Sequence, residues 1–318
     1  MKKRIFAFLL TALTIASLAA CNKDDDKKPE GNSTGSNDTA STVSTVDYEQ
    51  DENIKKTIED NVPMDQFSSK TKSVIEKFSS KDLKVELSMK IDEPKSDTSN
   101  SGSSLSTLAM LQGSELKFGF AKNGNNDMRI SVDLGIMTTF DMLKNSDGLY
   151  YLNTKNKSAI LTKIDEQNSA VAAESEASSS EDGSGSLLDS IDVGSIAQST
   201  GLSADSFVHG QDGEEDFNGE KCSYESYTIK VPESSEANAK TEDITFKAYF
   251  SGDDLKGLQF SKDEEKFDIV VNTFDTKVDE SEFKVPSEYT VTEDKDGTMM
   301  GQLFGGLLGG MGGNVLGE

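Results

Sequence analysis

Apolar residues recur at every second position through most of this chain, and that period restricts the fold more than any other feature. Leu83, Val85, Leu87, Met89 and Ile91 alternate with Lys84, Glu86, Ser88 and Lys90. Side chains on a strand point to opposite faces in turn, so this stretch predicts a strand with one apolar face. The pattern returns at Leu116, Phe118 and Phe120, and at Met128, Ile130, Val132 and Leu134, on either side of the turn-forming run Asn123-Gly124-Asn125-Asn126. Further strands are expected over 138–143, 149–153 and 158–164, then over 212–217 and 220–231 about the Asn218-Gly219 turn. Ile244, Phe246, Ala248 and Phe250, then Leu258 and Phe260, then Phe267, Ile269 and Val271 complete the series. This makes about ten strands in an antiparallel meander.

Helical spacing is confined to two places. Met64, Phe67, Val74, Ile75 and Phe78 predict one amphipathic helix between Pro63 and Ser80, and Leu187, Leu188, Ile191 and Ile196 suggest a short second one. The expected class is α+β, mainly β, with a curved antiparallel sheet forming an incomplete barrel around a few helices. Three polar, low-complexity inserts interrupt the pattern, near 94–113, 165–186 and 232–242.

The first fifty residues have a different character. Lys2, Lys3 and Arg4 precede a short apolar run that ends in Leu18-Ala19-Ala20-Cys21, and Asn22-Lys23-Asp24-Asp25-Asp26 follows at once. The run has the form of a secretory leader and is too short to span a bilayer. The tetrapeptide resembles the lipobox of bacterial lipoproteins, a resemblance that implies cleavage after residue 20 and a diacylglyceryl and palmitate-type anchor on Cys21. Two acyl chains, at roughly 0.8 kcal/mol per buried CH2, hold a protein on a membrane durably. Residues 22–51 are nearly devoid of apolar side chains and read as a flexible tether, about 30 Å in typical span. The expected organisation is thus a leader (1–20), a lipidated cysteine and tether (21–51), a domain (52–291) and an apolar, Gly/Met-rich tail (292–318), with the protein anchored outside the cytoplasm.

A formal net charge of −25 makes nucleic acid a poor partner. With Cys21 acylated, Cys222 has no partner for a disulfide, and a cysteine-based zinc site is excluded. Glu214-x-Asp216-x-Asn218-Gly219-x5-Glu225 approaches the spacing of a calcium loop, but the same residues suit a hairpin. His209 is the sole histidine and reads as a loop residue beside Gly210. Nothing in the sequence assembles a nucleophile, base and orienting group, so no enzyme, cofactor or metal is expected.

Gly213-Glu214, Asn218-Gly219-Glu220-Lys221-Cys222, Tyr224 and Tyr227, with the ending Val278-Asp279-Glu280-Ser281-Glu282-Phe283-Lys284-Val285-Pro286, resemble LolA-like lipoprotein carriers and the related LppX and LprG group. In that family an incomplete barrel wraps around helices and receives acyl chains. The resemblance implies that Phe118, Phe120, Ile130, Val132, Phe246, Phe250, Phe260, Ile269 and Val271 line an apolar cavity for a lipid or other amphiphile. The alternative is an envelope protein with a packed core that presents a surface to another protein or to peptidoglycan.

Overall fold

The computed structural model describes residues 48–62, 64–90, 113–135, 139–163, 207–232, 241–262, 265–295 and 298–299. The leader, Cys21, most of the tether, the inserts near 94–113 and 165–186, the helix suggested from Leu187 and most of the apolar tail lie outside them.

Thirteen strands form a single sheet among the described residues. β1 (Leu83–Lys90), β2 (Glu115–Lys122), β3 (Met128–Asp133), β4 (Thr139–Asn145), β5 (Gly148–Asn153) and β6 (Ser158–Thr162) make one antiparallel meander. β9 (Glu220–Pro232), β10 (Thr241–Ser251), β11 (Asp254–Lys262) and β12 (Glu265–Asp275) make a second, and β12 pairs with β1 to join the two. Two short strands, β7 (Phe207–His209) and β8 (Gly213–Phe217), share the outer side of β9. At the far edge, β13 (Thr290–Glu293) runs parallel to β6 and carries the sheet past residue 291. The two edges do not pair with each other, so the protein is mainly β with a wide, curved, unclosed sheet that is antiparallel apart from its last strand.

The turns follow from their residues. Asn218 and Gly219 both have positive φ, 51° and 83°, as a two-residue type I′ hairpin requires. Asn123 Oδ1 accepts from the backbone N–H of Asn125 and Asp127, which closes the β2–β3 turn. The third polar insert is bounded by strand on both sides, since β9 extends to Pro232 and β10 begins at Thr241.

Two α-helices are described, α1 (Glu52–Asn61) and α2 (Ser69–Lys77). The single helix expected between Pro63 and Ser80 is instead a 3-10 turn at Met64–Gln66 followed by α2. α1 was not foreseen. It is capped by Asp51, whose carboxylate accepts from the N–H of Asn53 and Ile54, and it buries Ile54 and Ile58, four residues apart on one face. α2 lies on the sheet through Val74, which packs with Ala248 and Phe250, and through Phe78, whose ring meets that of Phe274 edge-on at 5.3 Å.

The buried side of the sheet changes along its width. In β1 to β3 the apolar alternation faces the helices, whereas in β4 to β6 Leu143, Tyr150, Leu152 and Leu161 are buried on the opposite face. The cover there is the chain after β12. A second 3-10 turn, Glu280–Phe283, is capped by Asp279 and inserts Phe283 among these residues, with Val278, Val285 and Tyr289 packed alongside. The ending that resembles the carriers is therefore a strap: its apolar positions fill this second core, and its aspartate starts the turn.

A third small core lies on the same face near the other edge. Phe217 stacks on Tyr249 at 4.2 Å and covers Cys222. The Phe217 ring sits where a Cβ on Gly257 would fall, and such a Cβ would also approach the Ile269 carbonyl oxygen to 2.7 Å. Gly257→Ala is expected to destabilise the chain by about 2–3 kcal/mol. A shift of the urea midpoint checks this, and an unshifted midpoint contradicts the contact.

Candidate functional site

The strand register settles where the nine apolar residues singled out in the sequence lie. Phe118 is opposite Leu87 and Val132, and Phe120 is opposite Val85 and Ile130. Phe246 is opposite Phe260 and Tyr227, Phe250 is opposite Leu255, and Ile269 and Val271 are opposite Met89 and Leu87. All nine thus occupy the face that carries α2. Eight of them are divided among three clusters, and the buried Val271, opposite Leu87, lies outside these. Phe118, Phe260 and Ile269, with the half-buried Val132 and Phe246, form a broad patch. Phe120 and Ile130 meet Phe78, and Phe250 lies against Val74 of α2.

A polar device fastens α2 to this apolar face. The first turn of a helix leaves backbone N–H groups without intrahelical acceptors. Ser68, the N-cap residue of α2, makes no side-chain cap hydrogen bond. The cap comes from β9 instead. Glu225 Oε1 accepts from Lys70 N at 3.2 Å and Oε2 from Thr71 N at 2.8 Å, and Thr71 Oγ1 donates to Oε2 at 2.5 Å. The Tyr227 hydroxyl donates to Glu225 Oε2 at 3.2 Å and accepts from Ser68 N at 3.1 Å. Burial pushes the Tyr227 phenol above its ordinary value, so it stays protonated as the donor. A carboxylate at a helix N-terminus also meets the positive end of the helix dipole. On the same side, Lys70 Nζ reaches over the Phe250 ring to donate to the Gly252 carbonyl at 2.6 Å.

His209 is in strand β7, opposite Tyr227, and not in a loop. Its Nε2 is 2.9 Å from Ser68 Oγ and 3.0 Å from Asp212 Oδ1. A serine, a histidine and an aspartate are thereby brought together, which the sequence did not show. Both contacts converge on the same ring nitrogen, however. A relay needs the acid on one nitrogen and the nucleophile on the other, so this group works as an outer clasp of α2.

The carboxylates of the calcium-like spacing do not converge. Glu214 pairs with Lys221 at 2.8 Å on the β8–β9 hairpin, while Glu225 is committed to α2. Among the described residues no group of acidic, histidine or cysteine side chains could hold a metal ion. Cys222 is fully buried, and burial pushes its thiol up, as suits a packing residue. No described helix is long and apolar enough to cross a membrane.

No protein-family model matches the chain, and no curated protein matches it. Solved structures do match. One is LprF from Mycobacterium bovis, at 10% identity and a TM-score of 0.31, covering 72% of this chain and 96% of that one. Another is a putative outer membrane lipoprotein-sorting protein domain from Vibrio parahaemolyticus, at 11% identity and a TM-score of 0.21, covering 64% and 89%.

Proposed function

We propose that this is a lipid-anchored extracytoplasmic protein that receives the apolar part of a lipid or other amphiphile on the helix-bearing face of its sheet. The observation that carries this reading is the common placement of Phe118, Phe120, Ile130, Val132, Phe246, Phe250, Phe260, Ile269 and Val271. They come from strands of both meanders and lie on the one face over which α2 is fastened at its N-terminus. An unclosed sheet can widen where a closed barrel cannot, and α2 bears on the apolar patch through few side chains. The junction at Cys21 supplies the membrane attachment, and the negative charge of the chain leaves that lipid as the attachment rather than an anionic surface. No catalytic role enters this reading, and it needs no cofactor or metal.

The second reading, a packed envelope domain that engages another protein or peptidoglycan, draws on the complete burial of Leu116 and Ile269 in the same patch. The two readings differ in a single measurement. Native mass spectrometry of the full chain, purified from bacterial membranes and exchanged into a mild volatile detergent solution, is expected to show a stoichiometric adduct. Organic extraction of a Cys21→Ser variant, which carries no anchor of its own, is expected to release that adduct as a lipid. A clean apo mass, with no uptake of added phospholipid, would sink the carrier reading and leave the packed domain.

A further inference from the structure

The strap and the sheet enclose a charged trough on the face opposite α2. Between β1 and β3 the residues of β2 on this face are Gly119 and Ala121, so the central strand adds no long side chain here, and the Ser131 hydroxyl leans over Gly119. The result is a cavity of ≈ 200 Å³ lined by Lys84, Glu86, Arg129, Ser131 and Glu282, with Gly119 and Ala121 as its floor.

Its charges are ordered by the register. Lys84, Ala121 and Arg129 make one row across the three strands, and Glu86, Gly119 and Ser131 make the next. The rows are two residues apart along the strands, or about 7 Å. One end of the trough is thus cationic on both walls, and the other presents a carboxylate and a hydroxyl. The groups are held in place. Arg129 binds Asp141 through Nε at 3.0 Å and a second nitrogen at 2.7 Å, and this pairing raises its pKa. Glu86 accepts from Thr273 Oγ1 at 2.6 Å, which with the Lys84 ammonium at 3.3 Å keeps its carboxyl below the ordinary value. The charged ends are half-sheltered, with Lys84 at 23% and Arg129 at 25% side-chain exposure.

The strap marks the cationic end. Glu282 places one carboxylate oxygen 2.5 Å from Lys84 Nζ and the other 3.8 Å from Arg129 NH1. An acid group is therefore accommodated between these two cations, while Ser131 and Glu86, whose oxygens already meet Thr273 Oγ1 and the Lys84 ammonium, line the rest of the cavity. A plain anion would be repelled by a chain of net charge −25, and an ammonium carried on the same small molecule offsets part of that repulsion. At about 30 Å³ per water, the cavity is worth roughly seven waters, the size of a molecule of fewer than ten non-hydrogen atoms.

We propose that this trough binds a small zwitterion, with its ammonium group between Glu86 and Ser131 and its phosphate or carboxylate toward Lys84 and Arg129, beside or in place of the Glu282 carboxylate. This site is independent of the apolar face and of what that face receives. The test is titration calorimetry on the full chain in detergent, with phosphoethanolamine as the zwitterion and with inorganic phosphate and ethanolamine as its separate halves, at one ionic strength. Phosphoethanolamine is expected to bind at least tenfold more tightly than either half, and Glu86→Gln is expected to weaken it about tenfold. Ser131→Ala, which removes only the hydroxyl, is expected to weaken it severalfold, and circular dichroism verifies that both variants are folded. A second arm uses the Cys21→Ser variant, which carries no anchor of its own, with phosphatidylethanolamine vesicles: binding to free phosphoethanolamine alone identifies a soluble ligand, and binding to both identifies a lipid headgroup. The proposal is overturned if phosphoethanolamine does not bind at about 10 mM, if phosphate alone binds as well, or if folded Glu86→Gln leaves the affinity unchanged.

Discussion

Lys122→Met is expected to stabilise the chain by about 3 kcal/mol at pH 7, with the gain disappearing as the pH is raised toward 10.5. Lys122 is the last residue of β2 and continues the parity of Leu116, Phe118 and Phe120, so its side chain enters the helix-bearing face opposite Leu83 and Met128. It is only 2% exposed. Burial lowers its pKa from 10.5 to about 8, and the nearby charges of Asp51 and Asp82 offset this only in part. The unfolded chain therefore binds a proton more readily than the folded one. Between about pH 8 and 10.5 the native chain gains stability as the pH rises; below about 8 the full cost of burying the ammonium is present. Methionine has nearly the same shape and nothing to desolvate. Urea midpoints of both proteins across this range give the answer. A difference that stays constant with pH, or a variant that is no more stable at pH 7, would show that Lys122 is not a buried charge.

The same residue shows why the fold was legible from the sequence and the site only in part. Period-two alternation fixes which side chains share a face, and hydrogen-bonded register carries that parity from strand to strand. The resemblance to the carriers implied a common interior for the nine apolar residues, and it is the register that puts them on one face. Parity cannot show which face is covered where both are apolar. Gly148–Asn153 reads Gly-Leu-Tyr-Tyr-Leu-Asn, with Tyr150 and Leu152 on one side and Leu149 and Tyr151 on the other, and the strap decides which side is buried. α1 escaped notice because Ile54 and Ile58 are the sole aliphatic residues in Glu52–Asn61. β7, three residues long, is below any period. The clasp on α2 was out of reach for another reason: Ser68 and His209 are 141 positions apart, and Lys70 and Glu225 are 155 apart. Glu225 and Tyr227 carry no pattern of their own until the antiparallel meander of β9 to β12 brings them beneath a helix that precedes β1.

That long-range cap sets the second large effect. Glu225→Ala is expected to cost about 3 kcal/mol of stability, because it leaves three donors without their acceptor, the backbone N–H of Lys70 and Thr71 and the Thr71 hydroxyl, and leaves the Tyr227 hydroxyl only Ser68 Oγ. Loss of a cap from a solvated helix end costs only about 1 kcal/mol. Glu225 is 8% exposed, so water cannot replace it at no cost. Glu225→Gln keeps one acceptor oxygen and is expected to lose about 1 kcal/mol. The functional consequence distinguishes a latch from a packing residue. If α2 covers an apolar surface that an amphiphile shares, its release in Glu225→Ala should speed hydrogen exchange in α2 alone and raise the fluorescence of an apolar dye, under conditions where the sheet amides remain protected. Losses well below about 1 kcal/mol in both the alanine and glutamine variants would show that the carboxylate is not the cap. Faster exchange throughout the sheet would show that α2 belongs to the cooperative core, and so that the helix-bearing face opens only when the whole domain unfolds.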